Sequence, residues 1–342
     1  MPHRDVVVVG ASAGGVEALR ELAAGLPVDF PGTVLVVLHV PPTGSSALPQ
    51  ILDRAGPLPA RQAEDGDRLK PGQILVAAPN KHLIVYDGRV TLSSGPRENG
   101  HRPAVDVLFR TAARVLGPRL VGVILSGALD DGTAGMVAVQ LRGGATVVQS
   151  PDEALHPSMP RSAMSAVDAQ HVLPVAKIPP LLMELVSEEV PDDPGQSSAL
   201  MITEAAMADL DLDAINKSER PGRPSGLSCP DCNGTLFEIE EGGLVRYRCR
   251  VGHAWSPASL VAQQASALEG ALWMALRSLE EKAALTADLA RQASAAGHNL
   301  SGTTFERESQ EARKAAGLVR DLIGELTGGT EDKPVADSAK GG

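Results

Sequence analysis

Aromatic residues are scarce in this chain of 342 residues: two Trp, two Tyr and four Phe, or 2% of the total. A core with so few rings has to be filled by Val, Leu, Ile and Ala. Cysteine is scarcer still. Three cysteines cannot all pair, which argues against a disulfide framework, and all three fall within residues 229–249. No apolar run reaches the roughly 18 residues of a membrane span, and Met1-Pro2-His3-Arg4 leads straight into a strand without a signal peptide, so the protein is expected in the cytoplasm. Positive charge is in deficit, with 31 Lys and Arg against 42 Asp and Glu and a net charge of −11. That balance argues against nucleic acid or an anionic membrane as the main partner.

What is present is a serine placed where a strand turns into a helix. The apolar run Asp5-Val6-Val7-Val8-Val9 is followed by Gly10-Ala11-Ser12-Ala13-Gly14-Gly15 and then by the helical pattern Val16-Glu17-Ala18-Leu19-Arg20-Glu21-Leu22. Glycines on both sides allow a sharp turn that exposes the Ser12 hydroxyl, as in a nucleophile elbow. A dinucleotide-binding turn would need G-x-G-x-x-G and an acidic residue about 20 positions on. Ser12 replaces the middle glycine, and the next strand, Thr33-Val34-Leu35-Val36-Val37-Leu38, ends in His39.

His39 is followed by Val40-Pro41-Pro42, which stops that strand. A third apolar run, Leu120-Val121-Gly122-Val123-Ile124-Leu125-Ser126, opens into Gly127-Ala128-Leu129-Asp130-Asp131-Gly132. Two adjacent aspartates between glycines suit metal binding, orientation of a base or capping of the next helix. A Ser, a His and an Asp that each follow a separate strand also match the needs of a triad: nucleophile, base and orienting acid. Their chain order differs from that of ordinary α/β hydrolases.

At these positions the chain resembles the catalytic domain of the bacterial chemotaxis protein-glutamate methylesterases. The resemblance rests on Gly10-Ala11-Ser12-Ala13-Gly14-Gly15, His39-Val40-Pro41-Pro42, Ala63-Glu64-Asp65-Gly66, His101-Arg102-Pro103-Ala104-Val105-Asp106-Val107-Leu108-Phe109, Asp131-Gly132-Thr133-Ala134-Gly135-Met136 and Met159-Pro160-Arg161. It implies Ser12 as nucleophile, His39 as general base and then acid, and Asp131 as orienting carboxylate, with Asp130 a spectator. It further implies hydrolysis of glutamate methyl esters on chemoreceptor-like helices, with methanol as product and glutamine deamidation as a side activity through the same acyl-serine. No catalytic cofactor is expected. The oxyanion would be held by the backbone amides of Ala13 and Ala128. Ala13 stands where the family usually has threonine, and Ala128-Leu129-Asp130 replaces a Met-Gly-Asn run. Arg102 and Arg161 lie in loops from which they would steer an acidic peptide surface to the cleft, although an ordinary surface ion pair suits either arginine as well. The usual N-terminal receiver domain has no room before residue 5, so control by phosphorylation in cis is not expected. A non-catalytic scaffold is the alternative of a different class, and loss of a triad member would favour it.

Alternating strands and helices up to residue 187 predict an α/β fold: a doubly wound, mainly parallel sheet with helices on both faces. One antiparallel hairpin is expected at His82-Leu83-Ile84-Val85-Tyr86, Asp87-Gly88 and Arg89-Val90-Thr91-Leu92. Residues 188–225, acidic and broken by proline, read as a linker. Residues 226–256 then carry Cys229-Pro230-Asp231-Cys232 and Cys249-Arg250-Val251-Gly252-His253, a spacing that suits a zinc ribbon with Cys229, Cys232, Cys249 and His253 as a closed, structural ligand set. Ser256-Pro257 starts a helical hairpin over residues 257–327, and residues 328–342 read as a disordered tail. The sequence leaves the oligomeric state open.

Overall fold

The computed structural model describes residues 2–191, 195–211, 213 and 222–328. They divide into two compact units, Met1–Val261 and Ala262–Gly342.

In the first unit the apolar runs become a seven-stranded parallel sheet. In chain order its strands are β1 (Val6–Ala11), β2 (Thr33–Leu38), β3 (Ala60–Gln62), β4 (Gln73–Val76), β7 (Leu120–Ile124), β8 (Ala145–Gln149) and β9 (His171–Leu173), and in space they run β3-β4-β2-β1-β7-β8-β9. Strand β1 sits between β2 and β7, so the carboxyl ends that carry Ser12, His39 and the Asp131 loop are neighbours. Both faces of the central strands β1, β2 and β7 are covered, which is why these run almost wholly apolar rather than alternating. Val7, Val9 and Ala11 point into one core with α1 (Gly15–Gly25), α2 (Leu48–Ala55) and α6 (Ile178–Val186). Val6 and Val8 point into the other, beneath α3 (Val105–Leu116), α4 (Thr133–Leu141) and α5 (Ser158–Ala166). The expected doubly wound α/β architecture is present.

The hairpin β5 (His82–Tyr86) and β6 (Arg89–Ser93) turns at Asp87-Gly88, both at positive φ. Residues 188–225 do more than tether. Helix α7 (Ala199–Ala208), capped by the Ser198 hydroxyl, buries Met201, Glu204, Ala205, Met207 and Ala208, and strand β10 (Arg223–Ser228) starts before residue 226. Met201 of the apolar run Leu200-Met201-Ile202 is therefore part of the core while Ile202 is exposed, and the linker expectation is corrected there. Residues 192–194, 212 and 214–221 of that linker, and the tail beyond residue 328, lie outside the described residues.

Strands β10, β11 (Thr235–Glu241), β12 (Leu244–Cys249) and β13 (Ala254–Trp255) form a small antiparallel sheet in that order, with Gly242-Gly243 at the central turn. Trp255, Leu236 and Leu260 pack beside Cys229 and Cys249.

Helices α8 (Pro257–Ala295) and α9 (Asn299–Gly328) run antiparallel through most of the second unit. Leu276, Ala316 and Ile323 fill the seam, while Ser309 Oγ donates to the Ala283 carbonyl (2.8 Å). Gly297 turns the chain between the two helices at φ 79°. No described helix is long and apolar enough to cross a membrane.

Candidate active site

Strand β1 ends in the serine turn because Gly14 takes φ 68°, a conformation that side chains with a Cβ rarely adopt. A Cβ there would also lie 2.8 Å from both Leu155 Cβ and Ser126 Oγ. The Ser12 amide continues the ladder by donating to the Ser126 carbonyl (3.0 Å), and the His39 amide donates to the Ala11 carbonyl (3.2 Å). These bonds fix both functional residues at the sheet edge.

The three residues form one hydrogen-bonded chain. His39 Nδ1 lies 3.1 Å from Ser12 Oγ, and His39 Nε2 lies 2.7 Å from Asp131 Oδ2. Asp131 also accepts from the Val105 amide (2.7 Å), the Asp106 amide (3.3 Å) and Asn99 Nδ2 (2.9 Å). Burial alone would raise its pKa, but the His39 hydrogen bond, the adjacent imidazoles and the Val105 amide outweigh it and hold the carboxyl below its ordinary range. An ionised carboxylate only accepts, so His39 Nε2 carries the proton and Nδ1 offers a lone pair to the Ser12 hydroxyl. The ring is thus turned the other way round from the serine-protease arrangement, where Nε2 meets the serine.

Two neighbours complete the setting. The His101 ring stacks on His39 with centroids 3.6 Å apart and planes 10° from parallel. Burial and the facing His39 lower His101 to about 4, so it is a neutral lid on the base at neutral pH. Asp106 accepts from the Gly132 (3.0 Å) and Gly135 (2.6 Å) amides and from Asn99 Nδ2 (2.9 Å). Burial and the adjacent Asp131 push its pKa well up.

The loop after β7 lies against the nucleophile: a Cβ on Gly127 would sit 3.0 Å from Ser12 Cβ and 1.9 Å from Met159 Sδ. The Gly127 amide is taken by the His156 carbonyl (2.9 Å). Among the described residues the amides of Ala13 and Ala128 have no partner.

The two arginines separate. The guanidinium of Arg102 donates to Asn80 Oδ1 (3.0 and 2.8 Å) and to the Ser94 (2.8 Å) and Gly95 (2.7 Å) carbonyls, which ties together the loops before β5 and after β6. Arg161 is exposed and lines a cavity of about 620 Å³ with Asp130, Thr133, Ser162, Gly242 and Pro257. Thr133 Oγ1, buried in the wall, has no partner among the described residues.

Asp130 is not a bystander. Its Oδ1 accepts from Ser256 Oγ (2.7 Å) and Ser259 Oγ (2.9 Å). Asn99, His101 and Asp106 have structural parts that the sequence reading did not foresee. Their stretch, Arg97-Glu98-Asn99-Gly100-His101, reads as an ordinary polar turn, and only the positive φ of Asn99 (53°) betrays a constrained position.

The cysteine expectation is met in geometry. Cys229, Cys232, Cys249 and His253 bring their ligand atoms within 4.8 Å of one another. Cys232 Sγ and Cys249 Sγ lie 3.6 Å apart, and His253 Nδ1 lies 3.7 Å from Cys229 Sγ and 3.6 Å from Cys249 Sγ. Tetrahedral zinc with bonds of about 2.3 Å to sulfur spaces its ligands by about 3.8 Å, so the cluster fits. The contact with Cys249 lowers Cys229 to about 3 and drives Cys249 upward, so one sulfur ionises at the expense of another.

Comparison with known proteins agrees with this geometry. A family model described as CheB methylesterase matches residues 7–182. Protein-glutamate methylesterase/protein-glutamine glutaminase 5 of Anaeromyxobacter dehalogenans (strain 2CP-C) is 43% identical over 184 residues, covering 53% of this chain and 51% of that protein. A putative protein-glutamate methylesterase/protein-glutamine glutaminase of Leptospira interrogans is 37% identical over 182 residues, covering 53% of this chain and 94% of its own. The crystal structure of the Thermotoga maritima CheB methylesterase catalytic domain superposes with a TM-score of 0.51 at 35% identity, covering 53% of this chain and 98% of that one. The chain spans about half the length of the first of these curated relatives.

Proposed function

The chain belongs to the CheB methylesterase family, and on that premise we propose that it hydrolyses glutamate methyl esters on chemoreceptor-like proteins. The observation that carries this reading is the continuous hydrogen-bonded chain Ser12, His39, Asp131 at the carboxyl ends of adjacent strands. His39 Nδ1 takes the Ser12 proton as Oγ attacks the ester carbonyl carbon. The resulting imidazolium is held by Asp131, and the oxyanion by the amides of Ala13 and Ala128. Collapse expels methanol, protonated by His39. Water, activated by the same imidazole, then releases the glutamate carboxylate. A glutamine side chain follows the same route with ammonia as leaving group. None of these steps calls for a cofactor.

Arg161, beside the cavity that Thr133 and Asp130 also line, supplies the cation for the acidic flank of a receptor helix. Cys229, Cys232, Cys249 and His253 hold a structural Zn²⁺, whose closed ligand set holds together a module too small to fold by burial alone.

The test is methanol release from methylated receptor cytoplasmic fragments, with zinc content measured on the same sample. The intact protein is expected to release methanol, Ser12→Ala to release none, and one zinc to be found per chain. A folded, zinc-loaded protein that releases neither methanol nor ammonia would refute the assignment.

A further inference from the structure

The contacts that hold the catalytic acid do not end within the α/β domain. Asn99 is buried and held at positive φ, with both ends of its amide in use. Its Nδ2 donates to Asp131 Oδ1 and to Asp106 Oδ2, each at 2.9 Å. Its Oδ1 accepts from the backbone amide of Ser256 (2.8 Å), and its own backbone amide donates to the Ala254 carbonyl (2.7 Å). The Ala254 amide in turn donates to the Arg97 carbonyl (3.2 Å), so residues 97–99 pair with the last strand of the ribbon.

A second set of contacts runs parallel to the first. Asp130, the residue before the catalytic acid, accepts from the hydroxyls of Ser256 and Ser259. On the other flank, Arg248 of β12 donates to Glu98 Oε1 (2.8 Å). Residues on both sides of the triad carboxylate are thereby tied to residues 248–259.

That segment is short and leads directly from the cysteine cluster. The Cys249 amide donates to the His253 carbonyl (3.0 Å) and the Gly252 amide to the Cys249 carbonyl (3.1 Å), which closes the second knuckle. Ala254 follows His253 immediately, and Ser256 lies three residues beyond it. A cation bound by Cys249 and His253 fixes the knuckle, and the knuckle fixes the strand on which Asn99 depends.

We propose that Asn99 is a positioning residue for Asp131 and that the metal-held ribbon sets Asn99, so that a filled Cys3His site is required for Ser12 to be an active nucleophile. This rests on the esterase and zinc readings above. The ribbon is then a part of the active site supplied from beyond the α/β domain.

The test uses the full chain carrying Trp273→Phe, which leaves the buried Trp255 as the only indole and hence a reporter of the ribbon; Trp273 is exposed on α8. The rate at which a fluorophosphonate labels Ser12 reports the activated nucleophile without relying on a methyl ester. Removing zinc with a chelator is expected to slow labelling by about a hundredfold, the scale of a misplaced catalytic group. Added zinc restores both the rate and the Trp255 emission. Asn99→Ala with zinc bound is expected to slow labelling comparably while the Trp255 emission stays that of the native ribbon. With methyl ester substrate it lowers kcat and leaves KM little changed, whereas a substrate-binding role would raise KM. Labelling at the full rate by zinc-free protein whose far-ultraviolet circular dichroism still shows the folded α/β domain would overturn the proposal. So would full activity in Asn99→Ala. Should Asn99→Ala fail to fold, Cys232→Ser, at the exposed ligand, makes the same comparison from the metal side. If Ser12 labels in a zinc-dependent manner but no methanol is released, the substrate assignment fails and this inference stands.

Discussion

The charge on Asp131 decides which nitrogen of His39 is free, and this can be tested at a single atom pair. Asp131→Asn keeps the shape of the site but offers an amide that can donate to Nε2. The proton then moves to Nδ1 and the base is lost, with an expected fall in kcat of about 10⁴ at unchanged fold. Methanol release at saturating substrate, with circular dichroism as control, checks it. A second prediction concerns His82, which is buried with Nε2 donating to the Pro96 carbonyl (2.9 Å). Burial lowers it from 6.5 to about 4. Between those values the unfolded chain binds a proton that the folded chain refuses, so stability falls as pH drops from 6.5 toward 4, by about 3 kcal/mol for this one residue at the limit. Denaturant midpoints measured across that range should show the slope, and His82→Gln should flatten it in part, since His101 contributes in the same direction. Ser12, His39 and Asp131 were legible in the sequence because each lies in the loop after an apolar run and belongs to a recognisable block. Asn99 and Asp106 were not, because a residue that orients another by hydrogen bonding has no characteristic spacing.

At the scale of elements, helix α7 shows where composition misleads. Its neighbourhood is acidic and rich in proline, which gives the look of a tether, yet Glu204 on its buried face receives Arg246 through both guanidinium nitrogens (2.8 Å each) and Arg248 (2.8 Å). Burial would raise this carboxyl, and the arginines bring it below its ordinary range. Two buried carboxylates, Glu98 and Glu204, thus hold Arg110, Arg246 and Arg248 between the α/β domain and the ribbon. Glu204→Leu leaves arginines buried without their partner, and a loss of about 3–5 kcal/mol is expected in urea unfolding. A small change there would mean that water reaches the cluster. The central parallel strands β1, β2 and β7, by contrast, were easy to place, because burial on both faces makes them apolar almost from end to end. The pairing of strand ends with turns also followed from local chemistry, as at Asp87-Gly88. What local patterning could not supply was the partner of each charged side chain in β12, since a charge pattern on a strand does not say which distant carboxylate it meets.

At the scale of the molecule, the two units differ in what they contribute. The triad, the ribbon and every contact between them lie within residues up to 261. A chain ending at Val261 is therefore expected to keep its ester hydrolysis and its unfolding midpoint, as methanol release and thermal melting would report. Loss of activity on that truncation would place part of the site in the long helices. The spacing of the ribbon contacts along the chain has a temporal consequence. Asn99 and Ser256 are 157 residues apart in sequence, and Asp130 and Ser259 are 129 apart. On the ribosome the nucleophile, base and acid are all made well before the segment that braces them. A nascent chain halted in between holds a complete triad with no brace, and on the proposal above competence arrives only when the ribbon has emerged and taken up its ion. On that proposal, translation order and metal supply act as a delay on the Ser12 nucleophile.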